Sequence, residues 1–128
     1  MTPETGEIDG TGETGGTGDV RATARRMYAA FNAHDHEAAL DLFTADFRSH
    51  PLGTTGPDAV VQSWRRFHET FPEARVEVED LLVDGDRAAV RTSVHGVPGQ
   101  EPPTMLEIFR VRGGRIAELW GLSALRRD

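Results

Sequence analysis

The sequence predicts an α+β fold, a cone-shaped curved antiparallel sheet with three N-terminal helices that enclose a pocket. The first half of the chain has helical periodicity, and the second half alternates polar and apolar residues as strands do. Two turn signals, Asp84-Gly85 and Gly113-Gly114, are typical of β-hairpins. A chain of 128 residues is large enough for one core. In an α+β pattern of helices followed by an antiparallel meander, the helices must pack on one face of the sheet.

Three segments carry the helical pattern. Helix one is predicted from Val20 to about Ala33 and a short second helix from about Glu37 to Phe43. A breaker-rich segment, Ser49 to Pro57, precedes a third helix that begins at Asp58 and ends before Pro72. Helix one has an apolar face at spacings of three and four, formed by Ala24, Met27, Tyr28 and Phe31.

Four strands are predicted after the helices: Arg75 to Leu82, Ala88 to His95, Thr104 to Arg112 and Arg115 to Leu122. Residues two apart in a strand share a face of the sheet. The strand ending at His95 therefore divides into a polar set and an apolar set. The polar set is Ala89, Arg91, Ser93 and His95.

Residues 1–19 differ in composition from the rest of the chain. They are rich in Gly and Thr, contain five acidic residues and lack basic ones. Such a segment cannot bury enough apolar surface to offset its ordering entropy, so we predict a disordered tail followed by one domain over 20–128. Most of the net charge of -7 lies in this tail, and the arginines are scattered, so nucleic-acid binding is not expected.

Composition also limits the chemistry. The chain has no Cys and no Lys, which excludes thiolate, disulfide and Schiff-base mechanisms. It shows no membrane-length apolar run and no secretory signal, so a cytoplasmic location is expected. No nucleotide fingerprint, redox motif or zinc spacing is present, so we expect no cofactor. His34 and His36 lack a third ligand at metal spacing, and a metal site is not predicted.

Several segments in order resemble the SnoaL-like polyketide cyclase family, within the nuclear transport factor 2-like and ketosteroid isomerase-like superfamily. They are RRMYAAFNAHDHEAALDLF, DFRSHP, GPDAV, FPEARVEVEDLLVDGDRAAVR and EIFRVRGGRIAELWG. The resemblance implies a small-molecule pocket inside the cone, and a homodimer through the outer sheet face.

The resemblance also locates candidate catalytic residues. The acid/base Asp that it implies near the end of the last strand is matched here by Gly121, and a pocket His by Glu107. We hypothesise that Glu107 has taken over the acid/base role, with a pKa raised by its apolar neighbours Met105, Phe109 and Leu119. The alternative is a structural ion pair between Glu107 and Arg91.

Further candidates surround this carboxyl group. His50, in DFRSHP, is a second candidate proton carrier at the pocket mouth. Arg91 or Ser93 would stabilise a developing enolate, and His95 either lines the mouth or is a solvated loop-edge residue. Tyr28 and Trp64 are predicted core aromatics that also form a pocket wall. Trp120 is expected on the outer face and His68 in a structural role.

Three functions are compatible with these residues. The first is cofactor-free cyclisation or isomerisation of a polyketide-like or keto substrate, with Glu107 and His50 moving protons. The second is a cofactorless hydrolase or hydroxylase in which Glu107 activates water. The third is a non-catalytic small-ligand-binding module whose pocket has lost its acid at Gly121.

Overall fold

A computed structural model describes residues 17–125 of the chain and confirms the predicted α+β class. The elements in chain order are α1 (Thr17–Asn32), a 3₁₀ turn (His36–Ala38), α2 (Ala39–Leu42), β1 (Phe43–Ser49), β2 (Thr54–Thr55), α3 (Asp58–Thr70), β3 (Arg75–Asp84), β4 (Arg87–His95), β5 (Thr104–Arg112) and β6 (Arg115–Ser123). Helix α1 begins before Val20, inside the predicted tail. Residues 1–16 of that tail lie outside the described residues.

The sheet has six strands in the order β2-β1-β6-β5-β4-β3. The four predicted strands form an antiparallel meander, and both hairpin turns are confirmed, with Gly85, Gly113 and Gly114 at positive φ. The second helix was expected to end at about Phe43 and a breaker-rich segment to begin at Ser49, so no strand was predicted over the segment 43–49. This segment is β1, which pairs parallel with β6 through Ser49 and Leu119 and so covers an edge that would otherwise expose unpaired backbone groups.

Helix α1 lies against the inner face of the sheet. Its residues Val20, Ala24, Met27 and Tyr28 are buried, as the helical spacing predicts. At its end, the Asn32 side chain donates to the Val76 carbonyl and accepts from the Val76 amide, at 2.8 and 2.7 Å. This pair of hydrogen bonds fixes α1 to β3 and thereby sets the depth of the space between helix and sheet.

Alternation along β4, β5 and β6 separates an inner face from an outer face. On β5 and β6 the inner residues include Glu107 opposite Gly121 and Phe109 opposite Leu119. The outer residues include Ile108 opposite Trp120. Among the described residues, no helix is long and apolar enough to cross a membrane.

Candidate active site

A cavity of about 270 Å³ lies between the inner face of the sheet, helices α1 and α3, and the segment after β1. Of the residues predicted from the sequence, the structure places Tyr28, Trp64, Met105, Glu107 and Leu119 in its wall. Most of the remaining wall is apolar. Glu107 is the only charged side chain among the described residues that line this cavity.

Glu107 projects from the middle of β5 into the cavity. Tyr28 of α1 donates a hydrogen bond to Glu107 Oε1 at 2.6 Å. Burial raises the pKa of the Glu107 carboxyl above its usual value, and the hydrogen bond from Tyr28 opposes this in part. The folded environment therefore favours the protonated form of this carboxyl group more than water does.

Tyr28 contributes the hydroxyl of this pair. Its ring packs against Phe109 at a centroid distance of 6.0 Å, and the residue is 4% exposed. Burial, and then the charge of Glu107 and the hydrogen bond to it, raise the pKa of Tyr28 well above its usual range. The phenol thus stays protonated at all ordinary pH values and acts as a hydrogen-bond donor.

Gly121 lies directly across the β5–β6 pair from Glu107. A Cβ at this position would come within 3.2 Å of Glu107 Cγ, 3.3 Å of the Leu106 carbonyl oxygen and 3.7 Å of Glu107 Oε2. The glycine therefore provides the room that the longer glutamate needs. The residue types at 107 and 121 are sterically coupled, because a side chain at 121 would displace the carboxyl group.

The predicted ion pair between Arg91 and Glu107 is not formed. Arg91 faces outward and donates to Asp80 Oδ2 at 2.7 Å. Ser93 likewise bonds Glu79 at 2.8 Å, and His95 Nε2 lies 3.1 Å from Glu77 Oε1 without hydrogen-bond geometry. The placement of Arg91, Ser93 and His95 at the pocket is wrong, because the apolar set of β4 (Ala88, Val90, Thr92, Val94) faces the interior.

His50 also lies outside the cavity. It follows the buried Ser49 and turns to the outer face, where its Nε2 is 2.7 Å from Glu118 Oε2 and its ring stacks on Trp120. The structure therefore does not bring His50 and Glu107 together. Trp120 is on the outer face, as expected, with the Arg87 guanidinium over its ring.

Phe109 was predicted to line the pocket, but it is fully buried and lies behind Tyr28 in the core. The sequence interpretation missed the hydroxyl groups of Ser49, Ser63 and Ser123, which line the cavity. Ser63 could have been found, since it lies one residue before Trp64 and three after Val60 on the α3 stripe. Ser49 could not, because its strand was not recognised.

Comparisons with known proteins agree with this architecture. The model of the SnoaL-like domain family matches residues 24–119. A proposed polyketide cyclase from Bacillus cereus is 28% identical with a TM-score of 0.74, the match covering 83% of this chain and 74% of that one. IdmH, a proposed polyketide cyclase from Streptomyces antibioticus, is 28% identical with a TM-score of 0.72, covering 82% and 91%.

A proposed ketosteroid isomerase from Kribbella flavida has a TM-score of 0.69 over 88% of this chain and 82% of its own. At 23% identity this likeness concerns the fold alone. No curated protein matches the chain significantly in sequence.

Proposed function

The chain belongs to the SnoaL-like family, and we propose that it is a cofactor-free acid/base enzyme that cyclises or isomerises a keto substrate of polyketide-like character. One observation carries this proposal: Glu107, the only charged side chain among the described residues that line a mainly apolar cavity, is held by the Tyr28 hydroxyl at 2.6 Å. A carboxyl group whose pKa is raised above its ordinary value suits proton transfer at carbon.

The proposed reaction begins with proton abstraction. Glu107 removes a proton from the carbon next to a ketone, the C–H electron pair forms the C=C bond of an enolate, and the carbonyl oxygen takes the negative charge. In isomerisation, protonated Glu107 returns the proton to another carbon. In cyclisation, the enolate carbon attacks a second carbonyl of the same molecule, and Glu107 protonates the resulting alkoxide. Tyr28 keeps the carboxyl group oriented throughout.

The wall of the cavity limits the substrate class. Since Glu107 is the only charged group among the lining residues described, no cation is available there to bind a carboxylate or phosphate. The aromatic rings of Trp64 and Phe67 and the thioether of Met105 favour a flat apolar ring system. We therefore expect the reacting part of the substrate to be neutral, cyclic or ring-forming, and ketonic.

The test uses 2-tetralone, a bicyclic ketone with acidic α-protons, in D₂O with NMR detection of α-deuteration. Wild-type protein should accelerate exchange above the buffer rate, and Glu107→Gln should lower the acceleration about 10²–10⁴-fold. Glu118→Gln is the matched control, because Glu118 lies on the neighbouring strand but on the outer face. Retained acceleration in Glu107→Gln, or an equal loss in Glu118→Gln, would refute the assignment.

The binding module is the second candidate, and the absence of an acid at Gly121 favours it. It predicts saturable binding of 2-tetralone without any acceleration of exchange, and binding unaffected by Glu107→Gln. The third function, activation of water by Glu107, also predicts no acceleration of α-deuteration. The NMR experiment therefore separates the proposed reaction from the other two.

We also propose that the outer sheet face forms a homodimer. Leu82, Leu106, Ile108 and Leu122 are exposed on this face, with Leu122 80% exposed. Ile108 neighbours Trp120, and Leu106 neighbours Leu122, so these side chains form a continuous apolar area. Light scattering should give twice the monomer mass for wild type and the monomer mass for Ile108→Asp. A monomeric wild type would refute the dimer.

A further inference from the structure

Three histidines, two from one turn and one more than 30 residues later in the sequence, meet behind the aromatic wall of the cavity. His34 and His36 come from the turn after α1, and His68 comes from the last part of α3. One ring nitrogen from each lies within 4.8 Å of the others. The sequence interpretation found only the first two, because helix packing supplies the third.

The contacts within this group, which we call the histidine cluster (His34, His36 and His68), are close. His36 Nε2 and His68 Nδ1 are 2.8 Å apart, and the His34 ring stacks on the His68 ring at a centroid distance of 3.7 Å. His68 is only 5% exposed, yet its Nδ1 faces another imidazole instead of a carboxylate or carbonyl. Its Nε2 has no hydrogen-bond partner of good geometry among the described residues.

His34 also occupies an unusual backbone position. Its φ is +59°, and the bond from the Asp35 amide to the Ala30 carbonyl closes the end of α1 around it. Helices that end in this way normally place Gly or Asn at the left-handed position. A histidine there directs an imidazole back over α3, at the cost of some backbone strain.

We propose that the histidine cluster is a binding site for a first-row divalent transition-metal ion of the zinc class. Three imidazole ligands are a recognised donor set for such ions, and neutral imidazole nitrogen suits Zn²⁺ and Co²⁺. A water molecule would complete a tetrahedral sphere on the exposed His34 side. The site is separate from the proposed chemistry at Glu107, and it would hold α3 and the end of α1 together.

Two adjustments would convert the cluster into a coordination sphere. Two nitrogen ligands of a tetrahedral zinc ion are about 3.3 Å apart, so His36 and His68 must separate slightly. Because imidazole lone pairs lie in the ring plane, the stacked His34 must turn, and it is exposed enough to do so. Coordination through His68 Nδ1 would keep the proton on Nε2.

The charges near the cluster are mixed. Asp35 and Glu69 interact with His36 and favour a bound cation, whereas Arg65 disfavours one. The Arg65 guanidinium is, however, bonded to Glu37 at 3.0 Å, which offsets its charge. A bound ion would therefore meet a nearly balanced electrostatic environment.

The experiment titrates Co²⁺ into the untagged, chelator-treated full chain and records the visible d–d absorption, followed by displacement with Zn²⁺. Wild type should bind one equivalent, and Zn²⁺ should raise the melting temperature. His36→Ala and His34→Asn should each weaken binding by at least about tenfold. Asparagine at 34 tolerates the left-handed backbone, so a folding defect is not expected there, and circular dichroism verifies it.

His50→Ala and His95→Ala are the matched controls, because they remove the two histidines outside the cluster. Both should bind Co²⁺ as tightly as wild type. Absence of saturable one-to-one binding would overturn the proposal. So would unchanged binding in both cluster variants, or an equal loss in the two controls, since either result would mean that the ion binds elsewhere.

Discussion

The two faces of the same three strands have opposite characters. On the inner face of β4, β5 and β6, one carboxyl group lies among apolar side chains. On the outer face, carboxylates pair with arginine or histidine side chains. Asp80 pairs with Arg91, and Glu118 pairs with His50. Paired charges are thus concentrated on the side away from the cavity, beside the exposed apolar side chains of that face.

Glu107 and Glu118 illustrate this difference between the inner and the outer face. Glu118 accepts hydrogen bonds from His50 and Arg110, and these contacts, led by that with His50, hold its pKa below the usual range. Glu107 has only the Tyr28 hydroxyl, and burial raises its pKa. The pKa values of these two glutamates on adjacent strands therefore shift in opposite directions, because the side chains lie on opposite faces of the sheet. Among the described residues that line the pocket, no cation neutralises the Glu107 carboxylate.

The largest effect within this comparison is expected from Tyr28→Phe, which removes the one hydrogen bond to Glu107. A hydrogen bond to a charged group contributes about 1.5 kcal/mol or more. Its loss should leave less of Glu107 ionised near neutral pH, so α-deuteration of 2-tetralone should slow there by up to about tenfold. Because that hydrogen bond lowers the pKa of Glu107, its loss should also move the rising limb of the pH–rate profile to higher pH.

Ser63→Ala serves as the control for Tyr28→Phe, since it also removes a hydroxyl group from the cavity wall. Its pH–rate profile should keep the wild-type position. If Tyr28→Phe leaves the profile unmoved, the phenol does not tune the carboxyl group, and the pairing at 2.6 Å is structural only.

Gly121→Ala should have a smaller effect on the same group. The added Cβ would press on Glu107 Cγ from 3.2 Å, so the carboxyl group must shift. We expect up to about a tenfold loss in kcat with a smaller change in KM, and a loss of stability of about 1 kcal/mol. In a Glu107→Gln background the substitution should cause no further loss of rate. An additive loss would show that Gly121 acts independently of Glu107.

Local patterns were enough to predict the meander and most of the helix boundaries. The hairpin glycines and the apolar stripe of α1 are signals within short windows. Strand β1 was missed because its partner β6 is some 70 residues away, a distance no local pattern spans. The face of β4 was assigned wrongly because polar residues were assumed to be functional, whereas the register gives Val90, not Arg91, the position beside Glu107.

The candidate site, like the fold, could be predicted only in part. Glu107 was identified because the resemblance matches its position to that of a pocket His. The Tyr28 contact was not predicted, since the angle at which α1 crosses the sheet decides which residue reaches the carboxyl group. His68 joins His34 and His36 for a similar reason, because helix packing brings α3 to the turn after α1.

Stability should report the burial of Glu107. A carboxyl group whose pKa is raised by folding takes up protons more readily in the folded state than in the unfolded one. The free energy of unfolding therefore falls as pH rises through the ordinary value of 4.5 toward the raised value. Glu107→Gln removes this dependence, so the variant should match wild type near pH 4 and be more stable than wild type at pH 8. Urea unfolding at both pH values measures the free energy of unfolding of wild type and variant. A difference between the two proteins that does not depend on pH would contradict the raised pKa of Glu107.

The smallest effect is expected from Arg91→Ala on the outer face. Arg91 and Asp80 are each about half exposed, and such pairs contribute about 0.5 kcal/mol or less because solvent screens them. The free energy of unfolding measured in urea should therefore change by about 0.5 kcal/mol or less. The rate of α-deuteration should stay within about twofold of wild type. A loss of tenfold or more would mean that the outer guanidinium acts on the cavity through the sheet. The division between a polar outer face and a reactive inner face would then fail, because a residue on the wrong side of β4 would contribute to the chemistry.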